Sequence, residues 1–433
     1  MKVLFDRPNE ISPSLYRRFF RRALFRGCMA GTTVSSDGPY LSLNALILSQ
    51  SELASLAELS TRLARVFAIA GQHVAEDVDT LLAFGFPWSF AELLHQEPPR
   101  PVVFGRFDFL LDSSSRWQLL EYNCDTPAGF REATAVDEVA FELLRPYFKG
   151  ARVNGDLAAR RLAAIGAALQ SDRRPVRLGL LTDASDKEDT GHMAYTERLI
   201  RTTLAADGVE TVLGDIDNLR ESRGGRVSLV GQPIDALYRY VTYEAMLALP
   251  QFYTIVEAVT SGRLTLLNGL RGMLLQNKGL LAWIWARRDE PLFSPEEQEA
   301  IKRHLPPTWW VRDLPGDVDL NKTVVKQVFG REGDEVYFGD AMSDADWEQC
   351  RKWGTFIVQQ FVETAPLTSV GWDWQGRPVQ RTRLATVGGY VASEKWAGCY
   401  SRLGNRIVNS RAEFVPTFAE SKVDLRWCKI NEP

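Results

Sequence analysis

The chain has 433 residues, 45% of them hydrophobic and 24% charged, with a formal net charge of −4, the composition of an ordinary globular protein with material for two or three domains. The acidic balance argues against a dedicated nucleic-acid binder, whose affinity comes from clustered Lys and Arg. Scattered cysteines with no CxxC, no apolar leader and no stretch near ~18 apolar residues argue against a disulfide scaffold, a zinc knuckle, a signal peptide and a membrane span, and predict a soluble, cytoplasmic protein.

Residues 1–100 read as mostly helical. At 17–26 (RRFFRRALFR) arginines interleave with Phe and Leu at helical spacing, the pattern of a surface helix with one buried side. Within 49–70, Leu53, Leu56, Leu59, Leu63, Val66 and Phe67 recur at three- and four-residue intervals and predict an amphipathic helix. The run Glu97-Pro98-Pro99-Arg100-Pro101 ends this part.

Two apolar runs follow, 102–111 (VVFGRFDFLL) and 116–125 (RWQLLEYNCD), each carrying two polar groups at i, i+2: Arg106 with Asp108, and Glu121 with Asn123. In a strand that spacing puts both groups on one face, and Asp112-Ser113-Ser114-Ser115 has the character of a turn. A turn centred between Ser114 and Ser115 sets Asp108 opposite Glu121 and Arg106 opposite Asn123, with Phe107, Phe109, Leu120 and Tyr122 on the other face. Facing carboxylates repel unless a cation lies between them. Asp, Glu and Asn oxygens are hard ligands that suit Mg2+ together with phosphate oxygens, and an Arg beside them suits an anion. The alternative reading is a solvated hairpin face. Cys124, inside the motif, reads as a buried inert thiol.

Residues 129–148 read as a helix ending near Pro146. Short apolar strands at 176–181, 210–213 and 236–240, with a helix at 192–206, predict a parallel α/β unit. No GxGxxG follows the first strand and no GxxxxGK[ST] occurs, so a bound nucleotide is held by other means. From about residue 266 the pattern gives a helix around 278–287, a cap-like start at Ser294-Pro295-Glu296-Glu297, and strands at 323–328 (TVVKQV) and 355–362 (TFIVQQFV).

Lys326 sits in the first of these strands, which runs into Phe329-Gly330-Arg331-Glu332-Gly333. A lysine buried in a strand needs an anionic partner, and a Gly-containing loop brings backbone N–H groups close to phosphates; the plainer alternative is an edge lysine before a turn. Lys278, before an apolar helix, reads alone as a solvated cap. Gln359 and Gln360 need hydrogen bonds if buried; one of them could read an adenine edge. Arg402 and the run Lys187-Glu188-Asp189 carry little individually.

Together these segments resemble the glutathionylspermidine synthase family, a circularly permuted branch of the ATP-grasp carboxylate–amine ligases. The matching stretches are RFDF at 106–109, LLEYNCDTPAG at 119–129, DALYRY at 235–240, LLNGL and LLQNKGLLAWIW at 266–285, HLPPTWW at 304–310, VVKQVFGREGDEV at 324–336, IVQQFV at 357–362 and TVGGY at 386–390. The resemblance implies an α/β (α+β) fold: a circularly permuted ATP-grasp with a parallel α/β pre-ATP-grasp domain and a helical N-terminal part. Residues 1–170 would hold the helices and hairpin, 171–265 the α/β domain, and 266–433 the nucleotide-binding lysines and Gly loop.

By the same resemblance, Asp108, Glu121 and Asn123 match Mg2+ ligands that bridge the metal to ATP phosphates. Arg106 matches the arginine on the transferred phosphoryl and acyl phosphate, and Arg402 one near the reacting carboxylate. Lys278 and Lys326 match phosphate lysines, Gly330, Arg331 and Gly333 the loop over the phosphates, and Gln359 or Gln360 a position near the adenine. The implied activity is amide formation: ATP phosphorylates a carboxylate, and an amine displaces the phosphate. The alternative is a degenerate ATP-grasp protein that binds nucleotide and a partner without turnover. Three departures stand out. The first 100 residues show no Cys/His arrangement resembling an amidase. Residues 406–409 replace a family lysine. The CDTPAGFREA run after EYN implies a different carboxylate pocket, so a peptide or amino-acid carboxylate joined to another amine is expected as readily as glutathione joined to spermidine.

Overall fold

The leucine periodicity of residues 49–70 becomes the helix Gln50–Ala75 in the computed structural model, which describes residues 1–29, 34–35, 38–169, 175–222, 224–330, 335–406 and 412–421. Ser49 caps it, taking the Glu52 N–H on its hydroxyl while the Glu52 carboxylate takes the Ser49 N–H at 2.8 Å. The helix runs on to Ala75 because Gly71, Val74 and Ala75 continue the buried face. Its stripe packs on a central sheet, where Phe67 meets Phe107 and Tyr122 edge-on at 5.3 and 5.2 Å. Each such side chain contributes about 2 kcal/mol by leaving water. The arginine-rich stretch lies in the helix Pro13–Arg26, which buries Tyr16, Phe19 and Ala23 and pairs Arg22 and Arg26 with Glu142 and Glu138.

That central sheet is antiparallel and joins distant parts of the chain. Its order is Glu413–Val415, Lys395–Gly404, Pro378–Ala392, Phe104–Leu111, Trp117–Asn123, with Leu367–Trp372 paired to the first part of Pro378–Ala392. Beside it stands the expected parallel unit, in the order Thr265–Leu267, Ala236–Arg239, Val176–Thr182, Val209–Asp215. A third, antiparallel sheet runs Thr308–Trp310, Phe356–Gln360, Thr323–Gln327, Val336–Phe338. The capped helix Pro295–His304 begins at Ser294 with the expected Glu297 box.

Two elements differ from expectation. The helix placed at 192–206 is Lys187–Thr203, started by Asp186, whose carboxylate accepts from the N–H groups of Glu188 and Asp189. Its first turn is polar because it faces a cavity, so apolar periodicity could not reveal it. The stretch 129–148 is broken into a π-helical turn at Glu132–Val136, an α-helix at Asp137–Leu144 and a 3-10 turn at Arg145–Tyr147. Among the described residues no helix is long and apolar enough to cross a membrane.

Candidate functional site

The hairpin Phe104–Leu111/Trp117–Asn123 forms one wall of a cavity of about 430 Å³. Asp112 shapes its turn, accepting on one carboxylate oxygen from the N–H groups of Ser114 and Arg116 at 2.9 Å each. Asp108 faces Glu121 and Arg106 faces Asn123, as the sequence predicts. The route to that register differs, however. Leu111 pairs with Trp117 and Phe109 with Leu119, so the turn is centred on Ser114, and an extra residue, Leu120, restores the pairing beyond Phe109. The bulge corrects the predicted apolar face: Leu119 replaces Leu120 among Phe107, Phe109 and Tyr122 in the core, and Leu120 lines the cavity. Phe107 and Tyr122 stack at 3.8 Å behind the polar face.

Arg106 and Asp108 form a fork: Nε donates to Oδ1 at 2.6 Å and Nη2 to Oδ2 at 2.8 Å, while Nη1 reaches the Ala128 carbonyl at 2.7 Å. The neighbouring strand leaves room for this pair because residue 388 is glycine. A Cβ there would stand 2.6 Å from Arg106 Cδ and 2.9 Å from Asp108 Oδ1. Arg402 stands 3.6 Å from Asp108 Oδ2, and Tyr400 lies under Arg106, the guanidinium 4.9 Å from its ring centre. Asn123 Nδ2 donates to both carboxylates, at 3.2 Å each.

Lys278 is no solvated cap. It is buried at the head of the helix Gly279–Ala286, 3.3 Å from Glu121 Oε2, and its ammonium also donates to the Gly330 carbonyl. Lys326 is buried as well, donating to the Leu120 carbonyl at 3.1 Å and to Gln359 Oε1 at 2.7 Å. Burial lowers the Lys326 ammonium to about 8 despite the Glu121 charge beside it. The Glu121 carboxyl, which burial alone would raise, is held down to about 2 by Lys278 and Lys326.

Gln359 spends its amide on Lys326 and, through Nε2, on Thr308 Oγ1 at 3.1 Å; it orients the lysine. Gln360 is exposed and lines the cavity near Phe338 and Phe361, over which Arg406 stacks at 4.0 and 4.5 Å. Gly330 lines the cavity, whereas Arg331 and Gly333 lie outside the described residues. Cys124 is buried and donates to the Gly272 carbonyl at 3.3 Å, the inert role expected of it.

A further wall of the cavity carries no periodic signal in the sequence. Asp186, Glu188, Asp189, Tyr240 and Thr242 line it. Burial, and next the neighbouring Glu132 carboxylate, raise the Glu188 carboxyl to about 7. Glu132 itself sits on the π-helical turn, takes a 3.4 Å hydrogen bond from Tyr40, and has a second, buried oxygen without a hydrogen bond. The sequence signal for this wall is the acidic run at 186–189, which carries little on its own.

A family model described as glutathionylspermidine synthase preATP-grasp matches residues 26–420. A Haemophilus influenzae protein named “Putative acid--amine ligase” is 27% identical over 238 residues, which are 55% of this chain and 56% of that relative; the match thus spans about half the length of the curated relative. Among solved structures, an apo glutathione synthetase like-effector from Globodera pallida superposes with a TM-score of 0.66 at 10% identity, covering 96% of this chain and 98% of that one. The mixed α/β fold is therefore of the glutathione synthetase-like, ATP-grasp type that the sequence implies.

Proposed function

Because the chain belongs to the glutathionylspermidine synthase family, we propose that it is an ATP- and Mg2+-dependent ligase joining the carboxylate of a peptide or amino acid to an amine through an acyl phosphate. One observation carries the reading: two facing carboxylates and the four cations Arg106, Arg402, Lys278 and Lys326 converge on one cavity that Asp186, Glu188 and Asp189 also line. Transfer of a phosphoryl group asks little covalent chemistry of a protein and much positioning and charge neutralisation.

The donor set fits Mg2+. Asp108 and Glu121 supply hard oxygens, and Asn123 a third once its amide turns over. Among the described residues no three His, Cys, Asp or Glu side chains gather as a metal group, so phosphate oxygens and water complete the shell. When bound, the metal neutralises charge developing on the phosphates. Lys278 and Lys326 hold the phosphates by charge-assisted hydrogen bonds. Arg106 and Arg402, on adjoining faces of Asp108, orient the donor carboxylate against the phosphoryl group. Phe338, Phe361 and Gln360 suit a flat base with a polar edge. The wall of Asp186, Glu188 and Asp189 suits the ammonium of the acceptor, and Glu188 is poised near neutrality to accept a proton. In this reading residues 1–170 bring the hairpin, 171–265 the acidic wall, and 266–433 the phosphate lysines.

The test is ADP release on pairing amino acids, dipeptides and glutathione with a panel of mono- and polyamines. Turnover with a defined pair, lost in Glu121→Gln, supports the ligase. Equal turnover in wild type and Glu121→Gln removes Glu121 from the site; ATP-analogue binding with no turnover on any pair favours a binder.

A further inference from the structure

Neither carboxylate of the candidate metal cluster is bare. Asp108 is clasped by the Arg106 fork and approached by Arg402. Glu121 is paired with Lys278 and feels Lys326. Four cations thus surround two acids, and the empty cluster carries net positive charge. At the two acids these four cations repel a divalent ion that arrives alone. A polyphosphate meets attraction.

The two lysines are held differently. Lys326 is pinned: Gln359 fixes it from one side, Thr308 fixes Gln359, and the bulge carbonyl of Leu120 takes a second N–H. Among the described residues Lys278 is held by Glu121 and the carbonyl of Gly330, both of which a phosphate group can replace with stronger charge-assisted bonds. Asn123 is tied to the same two acids, to each of which its Nδ2 donates.

We propose that Lys278 is an exchangeable counter-ion: it occupies Glu121 while the site is empty and leaves it for an incoming polyphosphate, so that the cluster accepts a divalent metal only behind the nucleotide. The inference rests on the nucleotide reading above and adds an order of assembly to it. Nucleotide binds to the metal-free protein, and metal alone does not bind.

Calorimetry and Mn2+ electron paramagnetic resonance on the full chain test it, with AMP-PNP as the nucleotide probe. In wild type, AMP-PNP binds in the presence of EDTA, and Mn2+ binds at least tenfold more weakly alone than with AMP-PNP. Lys278→Met frees Glu121, so Mn2+ alone binds at least tenfold more tightly than to wild type, and Glu121→Gln in the same background removes that gain. Mn2+ affinity in wild type that is equal with and without AMP-PNP overturns the proposal. So does unchanged Mn2+ affinity in Lys278→Met with a wild-type circular dichroism spectrum; Lys278→Gln replaces it if the methionine variant does not fold. Failure of the nucleotide reading is a separate result: no AMP-PNP heat in any arm, with the Mn2+ arm of Lys278→Met still readable.

Discussion

Removing the carboxylate of Asp125 will unfasten the hairpin from the parallel sheet at a cost of about 3–5 kcal/mol, the usual penalty for stranding one member of a buried ion pair. Asp125 follows the strand Trp117–Asn123, and its side chain is 0% exposed; Arg239 ends the strand Ala236–Arg239, with its side chain 1% exposed. One Asp125 oxygen takes the Arg239 guanidinium, and the other takes the Tyr243 N–H at 3.1 Å. Arg239 also caps the Val241 carbonyl at 2.9 Å. In Asp125→Ala the guanidinium keeps its charge, loses its counter-ion and stays away from water. In Asp125→Ala/Arg239→Met no charge remains to be desolvated, so the double variant is predicted to be more stable than the single one, by 1 kcal/mol or more. Urea unfolding followed by circular dichroism, with hydrogen exchange of residues 236–239 as the local probe, reads both numbers. An Asp125→Ala variant within about 1 kcal/mol of wild type, or a double variant less stable than the single, refutes the reasoning.

Three further outcomes are expected. A non-hydrolysable ATP analogue at 100 times its dissociation constant stabilises the wild type by about 2.7 kcal/mol; Glu121→Gln loses the Mg2+-dependent part of that gain, and a thermal-shift titration that finds it intact takes Glu121 out of the metal shell. Gly388→Ala pushes on the Arg106–Asp108 fork and lowers kcat by about 100-fold, the scale of a misplacement near 1 Å, with an unchanged far-UV spectrum; wild-type kcat would mean that the fork does not orient the reacting groups. In the proposed complex Lys326 meets phosphate as the ammonium, and its free-state value is lowered to about 8 by burial. The complex therefore holds the proton more tightly than the free protein, and nucleotide affinity, level below pH 8, falls by up to tenfold per pH unit above it. Lys326→Arg flattens that slope, and an unchanged slope would assign it to another group.

Much of this site was legible because its groups obey local periodicity. The i, i+2 spacing of Arg106 with Asp108 and of Glu121 with Asn123 puts them on one face whatever the surrounding fold. The bulge at Leu120 was not legible, since pairing depends on the turn centre, and Asp112-Ser113-Ser114-Ser115 allows two centres half a residue apart. Lys278 looked like a cap because its partners, Glu121 and Gly330, are distant in sequence. The sequence does not choose between Gln359 and Gln360 for the adenine, because Thr308, which holds the Gln359 amide, comes from another strand. The acidic wall was invisible for a related reason: a helix whose first turn faces a cavity has no apolar stripe there to announce it.

The position of the strand Phe104–Leu111 has a consequence for biosynthesis. It lies in the middle of the central sheet, with residues 104–109 hydrogen-bonded to residues 387–392. A ribosome delivers the hairpin long before that partner. Throughout the interval the nascent chain presents an unpaired edge bearing Phe104, Phe107 and Phe109, the kind of edge that recruits the wrong strand. Arg402, which completes the cation cluster, emerges later still. Chains released before that point are expected to bind holdase chaperones, so premature termination here leaves the cell a sticky product.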